Sequence, residues 1–575
     1  MQTTLIELNP NRQLLDSNFD GYKLSLTEIP KKKRDLAIAV DRVLLDTNQY
    51  SLLHANLYGF HNHLTADPYD ETSSVYFVDK ELSICKVYVD PFNEELIDPI
   101  KLLTLPRKRE RISGDYNVSL RFASPTIAVI SDGIENLYIV NTGSRNDDDA
   151  FNICFSDEVT DSGQSFVVVD AIVMTNKDSN EELHVLALSL KRETEQERYF
   201  SLLHWITFTK VQDVWGQTAI KQVKSKGCVQ YAFIEKNCEA IYVASDDECK
   251  FTLNSDFPII EETSRNINAD KKVYTWSQNI NEITIRIKLS GEIVPEQVKI
   301  NQQFNSIEVK ANNAVLISGD LYHRIDTNMT TWKITQDSEP TLEIILGKEE
   351  TGLMWPEFIK NDLTGEFVLN SCIQDETQAK FAHLTSETED NPQSGTTFNS
   401  QQVEECDFEN DKACVFQRLC GQTNNTTHKV NLGSHQILVT AQLNQNDVPA
   451  MGIRHDVDIC LWQPQKTNEN FSITHEGTLL ALGYVQASKQ NKKFTVCPPD
   501  MSYAVICETS GHLFIYRQNK KISSTELRNR STGRRIQSIA QQQVVNLSND
   551  EILGIYGSNK SLFLLCEKSV TVLTL

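Results

Sequence analysis

The sequence predicts an all-β chain: a β-propeller of about seven blades, interrupted by an inserted antiparallel β-sandwich. Three observations lead there. Short apolar runs bounded by turn residues dominate the chain, as at Phe166–Val169 and Leu562–Leu565. Such runs recur in pairs, as strand, tight turn, strand. One central block, 273–360, alternates apolar and polar residues cleanly enough to stand apart from the rest.

The pairs come in chain order. Thr126–Gly133 is followed by Leu137–Val140, and Ala240–Ser245 by Cys249–Leu253. Gly452–Trp462 holds a third pair, Tyr503–Cys507 with Ser510–Tyr516 a fourth, and Ser561–Cys566 with Val570–Leu573 closes the chain. Asp132-Gly133 and Ser510-Gly511 suit tight hairpin turns. Recurring hairpins of this kind suggest propeller blades, with a set of unrelated β-sandwiches as the alternative. Seven blades would average roughly 70 residues outside the central block, against the usual ~40–45, so long connections absorb the excess. Closure requires the final strands, around Ser561–Leu575, to pair with strands near the N-terminus. Long helical patterns are rare, and 353–360 and 536–545 are the better short helix candidates.

The domain boundaries follow. Residues 1–255 form the N-terminal part of the propeller, 256–272 a polar linker, 273–360 the sandwich, and 361–575 the C-terminal part. The acidic stretch 386–411 reads as a disordered loop.

Composition narrows the function. Hydrophobic residues at 40% and charged residues at 23% exclude global disorder and a coiled-coil rod. A net charge of −23 repels phosphate and disfavours direct nucleic-acid binding. No apolar run is long enough to span a bilayer, so no membrane partner is expected. The N-terminus lacks the basic and apolar regions of a signal peptide. Thirteen scattered cysteines without a Cys-x-x-Cys read as reduced thiols of the cytosol or nucleus.

In the central block, Glu282–Leu289 places every odd residue apolar and every even one polar, a strand with one dry and one wet face. Tyr274-Thr275-Trp276-Ser277-Gln278 precedes it. Gly319-Asp320-Leu321-Tyr322, Thr331-Trp332-Lys333-Ile334, Gly347-Lys348 and Met354-Trp355-Pro356-Glu357-Phe358 follow in order. This series resembles the CS domain of the NudC family, so the inserted sandwich is expected to be CS-type. His455-Asp456-Val457-Asp458, Leu461-Trp462-Gln463-Pro464 and Glu404-Glu405-Cys406-Asp407 resemble a long member of that family, in which the CS domain interrupts a propeller-like region. The chain departs from the family at Thr335-Gln336-Asp337, where other members carry a more acidic turn.

The resemblance implies a non-enzymatic co-chaperone or client adaptor in the cytoplasm and nucleus. Its implied partners are a heat-shock chaperone of the ninety-kilodalton class, client proteins and a DEAH-box RNA helicase. A nuclear scaffold for that helicase in RNA processing is the alternative. The candidate partner-binding residues are Tyr322, Lys333, Trp355 and Tyr274. Lys333 alternates with apolar neighbours and should face solvent, whereas Trp276 and Trp332 are expected to plug the core. The block's 8 Lys/Arg against 12 Asp/Glu predict attraction to a basic surface.

Elsewhere, Lys31-Lys32-Lys33-Arg34 after Pro30 looks like a nuclear import signal, with Pro106-Arg107-Lys108-Arg109 as a second candidate and a charged loop as the alternative. Arg528, Arg530, Arg534 and Arg535 read as a basic loop. His455-Asp456-Val457-Asp458 and His61-Asn62-His63 lack the further ligands of a closed zinc site, and a turn is the expected role of the first. Asp147-Asp148-Asp149 lacks the glycine and distal glutamate of a calcium loop. There is no phosphate loop or nucleophile elbow, so no catalytic residue, metal or cofactor is expected, and an enzyme hosted on the propeller ranks last.

Overall fold

The computed structural model describes most of the chain; residues 260–272, 290–296, 369–413, most of 522–537 and shorter runs elsewhere lie outside the described part. Two compact units emerge, Met1–Ile259 with Glu404–Leu575, and Ile260–Val403.

Among the described residues, the larger unit consists of seven sheets. Blade 1 runs over Thr65–Ala66, Val75–Val78, Ser83–Val87 and Ile100–Thr104. Blade 2 is Ser119–Phe122, Ile127–Ser131, Asn136–Asn141 and Asn152–Glu158. Blade 3 is Val167–Thr175, Glu181–Arg192, Tyr199–Val211 and Val214–Ser225, with Lys250–Asn254 added at its edge. Blade 4 joins Val229–Ile234 and Ala240–Ser245 to Cys414–Cys420 and Asn425–Gly433. Blade 5 is Ile437–Ala441, Ala450–His455, Asp458–Thr467 and Asn470–Leu479. Blade 6 is Lys492–Val496, Tyr503–Glu508, His512–Lys521 and Ser538–Asn546. Blade 7 is Ile552–Gly557, Ser561–Cys566, Ser569–Thr574 and Lys31–Asp35.

The period of two explains how a ring forms. In Tyr503–Cys507 every side chain is buried. Tyr503, Val505 and Cys507 enter a cluster shared with blade 7, while Ala504 and Ile506 enter one shared with blade 5. Each blade thus has two dry faces, and its strands read as unbroken apolar runs. Seven such clusters join consecutive blades, and the seventh packs Val75, Phe77 and Val87 of blade 1 against Phe563, Leu565 and Val572 of blade 7. The ring is closed.

Closure uses both ends of the chain, as expected. Lys31–Asp35 pairs antiparallel with Ser569–Leu573, Lys31 opposite Leu573 and Asp35 opposite Ser569. On the way there the N-terminal segment skirts three more blades. Thr4–Leu5 pairs parallel with the outer strand of blade 4, the Asn11 amide donates to His475 Nδ1 in blade 5 (3.0 Å), and Tyr22–Leu24 pairs parallel with the outer strand of blade 6.

Two local expectations are corrected. Ala240–Ser245 and Lys250–Asn254 do not form a hairpin. The first pairs with Val229–Ile234 and, across the inserted unit, with Cys414–Cys420; the second pairs with blade 3. The insertion has taken the place of the local partner. The helix expected over 536–545 is instead the strand Ser538–Asn546, where pairing with His512–Lys521 overrides the helix propensity of three glutamines. Of 353–360, the described residues are non-helical. The loop expected at 386–411 lies outside the described residues.

Blade 4 is welded across the insertion by a buried ion pair. Arg418 donates through Nε (2.8 Å) and Nη2 (2.7 Å) to the two carboxylate oxygens of Glu235, and the Tyr242 hydroxyl donates to the same carboxylate at 2.6 Å.

The smaller unit is a sandwich. One sheet orders Ile325–Gln336, Pro340–Lys348, Glu282–Lys288, Tyr274–Gln278 and Gly365–Phe367; the other orders Val298–Gln303, Ser306–Ala311 and Ala314–Asp320. Ile283, Ile285 and Ile287 share its core with Leu342, Ile344, Ile307, Val309 and Ile317. The alternation anticipated for 282–289 holds, and the wet face carries Glu343 between Arg286 (2.9 Å) and Lys333 (2.9 Å).

Removing residues 566–575 strips Lys31–Asp35 of its partner strand. Calorimetry is expected to show the propeller transition lost and the sandwich transition kept; unchanged melting of the truncated chain would refute ring closure as the controlling contact. Replacing Arg418 by Met leaves the buried Glu235 with only the more distant Lys466 ammonium (3.9 Å) and should cost about 3–5 kcal/mol in denaturant unfolding of the propeller.

Candidate functional site

The four residues singled out on the sandwich separate by depth. Tyr274 is buried, its hydroxyl donating to Asp362 at 2.7 Å and its ring edge-on to Phe358 at 5.8 Å. Burial and the Asp362 carboxylate push its phenol well above the ordinary range. Trp355 is also buried, at 3% exposure, whereas Tyr322 is 36% exposed. Lys333 faces solvent on the wet face, as its alternation anticipated, and pairs with Glu343.

The other tryptophans split. Trp276 is a core residue, but Trp332 is 40% exposed. Trp332 lies opposite Ile344 on the dry side, yet on an edge strand with a single neighbour, so one flank of its ring is left uncovered.

Tyr322 and Trp355 meet at one groove. The segment Trp355–Lys360 is stitched to the turn after Ala314–Asp320: Leu321 bridges Ile359, the Tyr322 amide donates to the Phe358 carbonyl (3.2 Å), and the Lys360 amide to that of Asp320 (2.9 Å). Gly319 is required there, because a Cβ would lie 2.5 Å from the Ile359 side chain. Rings then run from core to surface: Trp276 against Phe358 (6.1 Å), Phe358 against Trp355 (6.5 Å), Trp355 against His323 (5.7 Å), and His323 against Tyr322 (4.8 Å). The groove has a volume of about 330 Å³, with Tyr322, His323 and Trp355 on its aromatic side and Arg324, Lys360 and Glu349 carrying its charge.

Trp355 is held by a buried amide. Gln278 Nε2 donates to the Trp355 carbonyl (2.7 Å), and Gln278 Oε1 accepts from the Trp355 amide (2.8 Å) and from Lys348 Nζ (2.8 Å). Burial lowers the Lys348 pKa. The arrangement fixes an aromatic floor beneath the exposed Tyr322, Arg324 and Lys360. Sequence reading missed His323, Arg324 and Lys360. His323-Arg324 directly after Tyr322 was a usable signal, but nothing local marks Gln278. The overall charge of the block predicts attraction to a basic surface; among the described lining residues of the groove, two cations face one carboxylate.

The other candidates fall in different places. Lys31–Arg34, read as an import signal, is the ring-closing strand, and its side chains engage Glu94 (Lys32), Asp550 (Lys33) and Asp98 (Arg34). Its backbone is therefore committed to Ser569–Leu573 rather than free as a peptide. Asp456 sits in the tight turn between two strands of blade 5 and Asp458 opens the strand after it, its Oδ1 accepting from the Ala481 amide at 2.6 Å. Among the described residues no group of three or more His, Cys, Asp or Glu side chains is placed to hold a metal. Arg528, Arg530, Arg534, Arg535 and Asp147 lie outside the described residues.

Gln278→Leu removes both of the Gln278 bonds to Trp355 and one acceptor of a buried ammonium. Urea unfolding followed by tryptophan fluorescence should show the sandwich destabilised by about 2–4 kcal/mol, with the propeller transition unmoved.

Comparison with known proteins finds relatives of the sandwich and of the whole chain. Residues 272–348 match the family model of the CS domain. NudC domain-containing protein 1 of Mus musculus is 33% identical over 99% of this chain and 98% of its own length; that of Xenopus laevis is 32% identical over 100% and 99%. The solved nuclear movement protein from E. cuniculi is 26% identical over 15% of this chain and 98% of its own, with a TM-score of 0.14. The mouse and frog relatives are similar from end to end, sandwich and ring alike, and the chain therefore belongs to the NudC domain-containing protein 1 family.

Proposed function

We propose that this protein is a non-enzymatic co-chaperone or adaptor, and that its CS domain takes hold of a protein partner through the Tyr322 groove. The observation that carries this reading is the pairing of an exposed tyrosine with a fixed aromatic floor and two flanking cations. Interfaces draw most of their binding energy from a few aromatic and arginine anchors in such settings. The groove needs little ordering before it binds, because Gln278 already holds Trp355 in place. The partner implied by family resemblance is a heat-shock chaperone of the ninety-kilodalton class, with clients bound in the same complex. The seven-bladed ring supplies a second, separate surface for such a client.

A second reading is a nuclear scaffold for a DEAH-box RNA helicase, with entry through Lys31–Arg34. It is supported by the partial exposure of those four side chains. Because their backbone closes the ring, this route requires recognition of a folded strand edge rather than of an extended peptide.

Titration of the full-length protein with the purified ninety-kilodalton chaperone separates the surfaces. Tyr322→Ala and Lys360→Glu are each expected to weaken binding at least about tenfold, and Lys333→Glu on the wet face to leave it unchanged. Wild-type affinity in the Tyr322 variant, with loss in the Lys333 variant, would transfer the site to the wet face.

A further inference from the structure

The propeller carries a basic recess of its own, on the connection between blades 1 and 2. Five consecutive residues, Arg107-Lys108-Arg109-Glu110-Arg111, line a cavity of about 300 Å³. Two of the four cations are already spent. Arg109 holds Asp115 through two bonds (2.7 and 2.8 Å), and Arg111 holds Asp41 through two (2.6 and 2.7 Å). These bidentate pairs set the course of the loop. The other two cations meet only neutral acceptors: Arg107 Nη2 donates to the Lys80 carbonyl (3.3 Å) and Lys108 Nζ to Asn136 Oδ1 (2.5 Å). Among the described residues neither is paired with a carboxylate.

The acids that line the recess are not bonded to these two cations. Asp132, which also lines the recess, is consumed by its own turn, accepting from the Ile134 and Asn136 amides and from Asn136 Nδ2. Glu110 makes no such bond among the described residues, so the two unpaired cations share the recess with two carboxylates, neither of which is bonded to them. Leu82 and Ile134 supply an apolar wall. A guanidinium and an ammonium with unused donors, held beside a small apolar wall, select an anionic oxygen group on a slender chain.

We infer that the Arg107–Lys108 recess of the propeller binds a short acidic peptide segment of a protein partner, gripping a carboxylate or phosphate between the two side chains. The size argues for a segment rather than a surface, since 300 Å³ is at the lower limit of ligand pockets (~300–1,000 Å³). The net charge of −23 argues against a nucleic acid, whose dense backbone charge would be repelled along its whole length. A peptide presenting one or two charges meets far less of that repulsion. The site lies outside the CS domain and does not depend on the groove reading.

The test uses the full-length protein and three fluorescein-labelled octapeptides: one rich in Asp and Glu, one with phosphoserine at the central position, and one with Gln and Ser in place of every charge. At least one anionic peptide is expected to bind, at least about tenfold tighter than the neutral one. The comparison of the two anionic peptides assigns carboxylate or phosphate. The double variant Arg107→Gln/Lys108→Gln should lose that preference, with the thermal unfolding midpoint unchanged, because both side chains are exposed. Glu110→Gln should tighten binding. Equal affinity for all three peptides, an undiminished preference in the double variant, or tighter binding of a single-stranded RNA oligonucleotide through the same residues would overturn the inference.

Discussion

A propeller is a ring of sheets, and a ring with a gap leaves two dry faces in water. Everything in the larger unit therefore rests on the junction of blades 7 and 1. That junction is made by residues from opposite ends of the chain. Lys31–Asp35 completes a sheet whose other three strands are the last elements of the protein, and the completed sheet packs against Val75, Phe77 and Val87. A fully buried Val, Leu or Phe is worth about 1.5–3 kcal/mol relative to exposure, so a seam lined by these residues can offset the entropy of bringing the chain ends together, which grows only slowly with loop length. The N-terminal segment adds to this by running along the outer strands of blades 4 and 6 before it reaches blade 7. Edge strands that would otherwise be open to foreign pairing are covered by the same device.

The insertion of a whole domain into blade 4 is tolerated for a related reason. Ser245 and Val415 are partners in register although 170 positions of numbering separate them. The host strands on either side of the insertion in the chain, Lys250–Asn254 at the edge of blade 3 and Cys414–Cys420 in blade 4, are each held by pairing within the ring. What it removes is the short turn that would have held the strands together. The ion pair of Arg418 with Glu235 takes over that duty, along with the bond from the Cys249 amide to Gln417 Oε1 (2.7 Å). Buried ion pairs add little stability over an apolar replacement, but they set which strands may pair. That is the need at a blade assembled from two distant pieces.

In the sandwich, the groove has an outer layer resting on a fixed inner one. Gln278 satisfies both backbone groups of Trp355, and Trp355 supports His323 and through it Tyr322. From Trp355 through His323 to Tyr322, each ring is more exposed than the last. Binding energy can then be concentrated in the outermost ring without the cost of ordering those beneath it. The propeller recess follows the same logic with charge in place of rings: Arg109 and Arg111 are tied down so that Arg107 and Lys108 are presented.

Much of this was legible in the residues. The alternation at Ile283, Ile285 and Ile287, the landmarks from Tyr274 to Phe358, the recurring hairpins and the need for N- and C-terminal strands to meet are all local patterns or their direct consequences. They determined the all-β class and the ring interrupted by a sandwich. Three things were decided only by tertiary structure. Ala240–Ser245 lost its neighbour as a partner because the pairing strand arrives from beyond the insertion. Lys31–Arg34, a basic run of no evident β character, became a strand because the last blade lacked one. Tyr274 went inward and Trp332 partly outward because burial depends on what covers a strand and not on the residue itself. Local sequence encodes periodicity and turn chemistry, so it determines which segments are strands; which strand lies beside which, and so which side chains remain free to bind, is set by contacts between residues far apart in the chain.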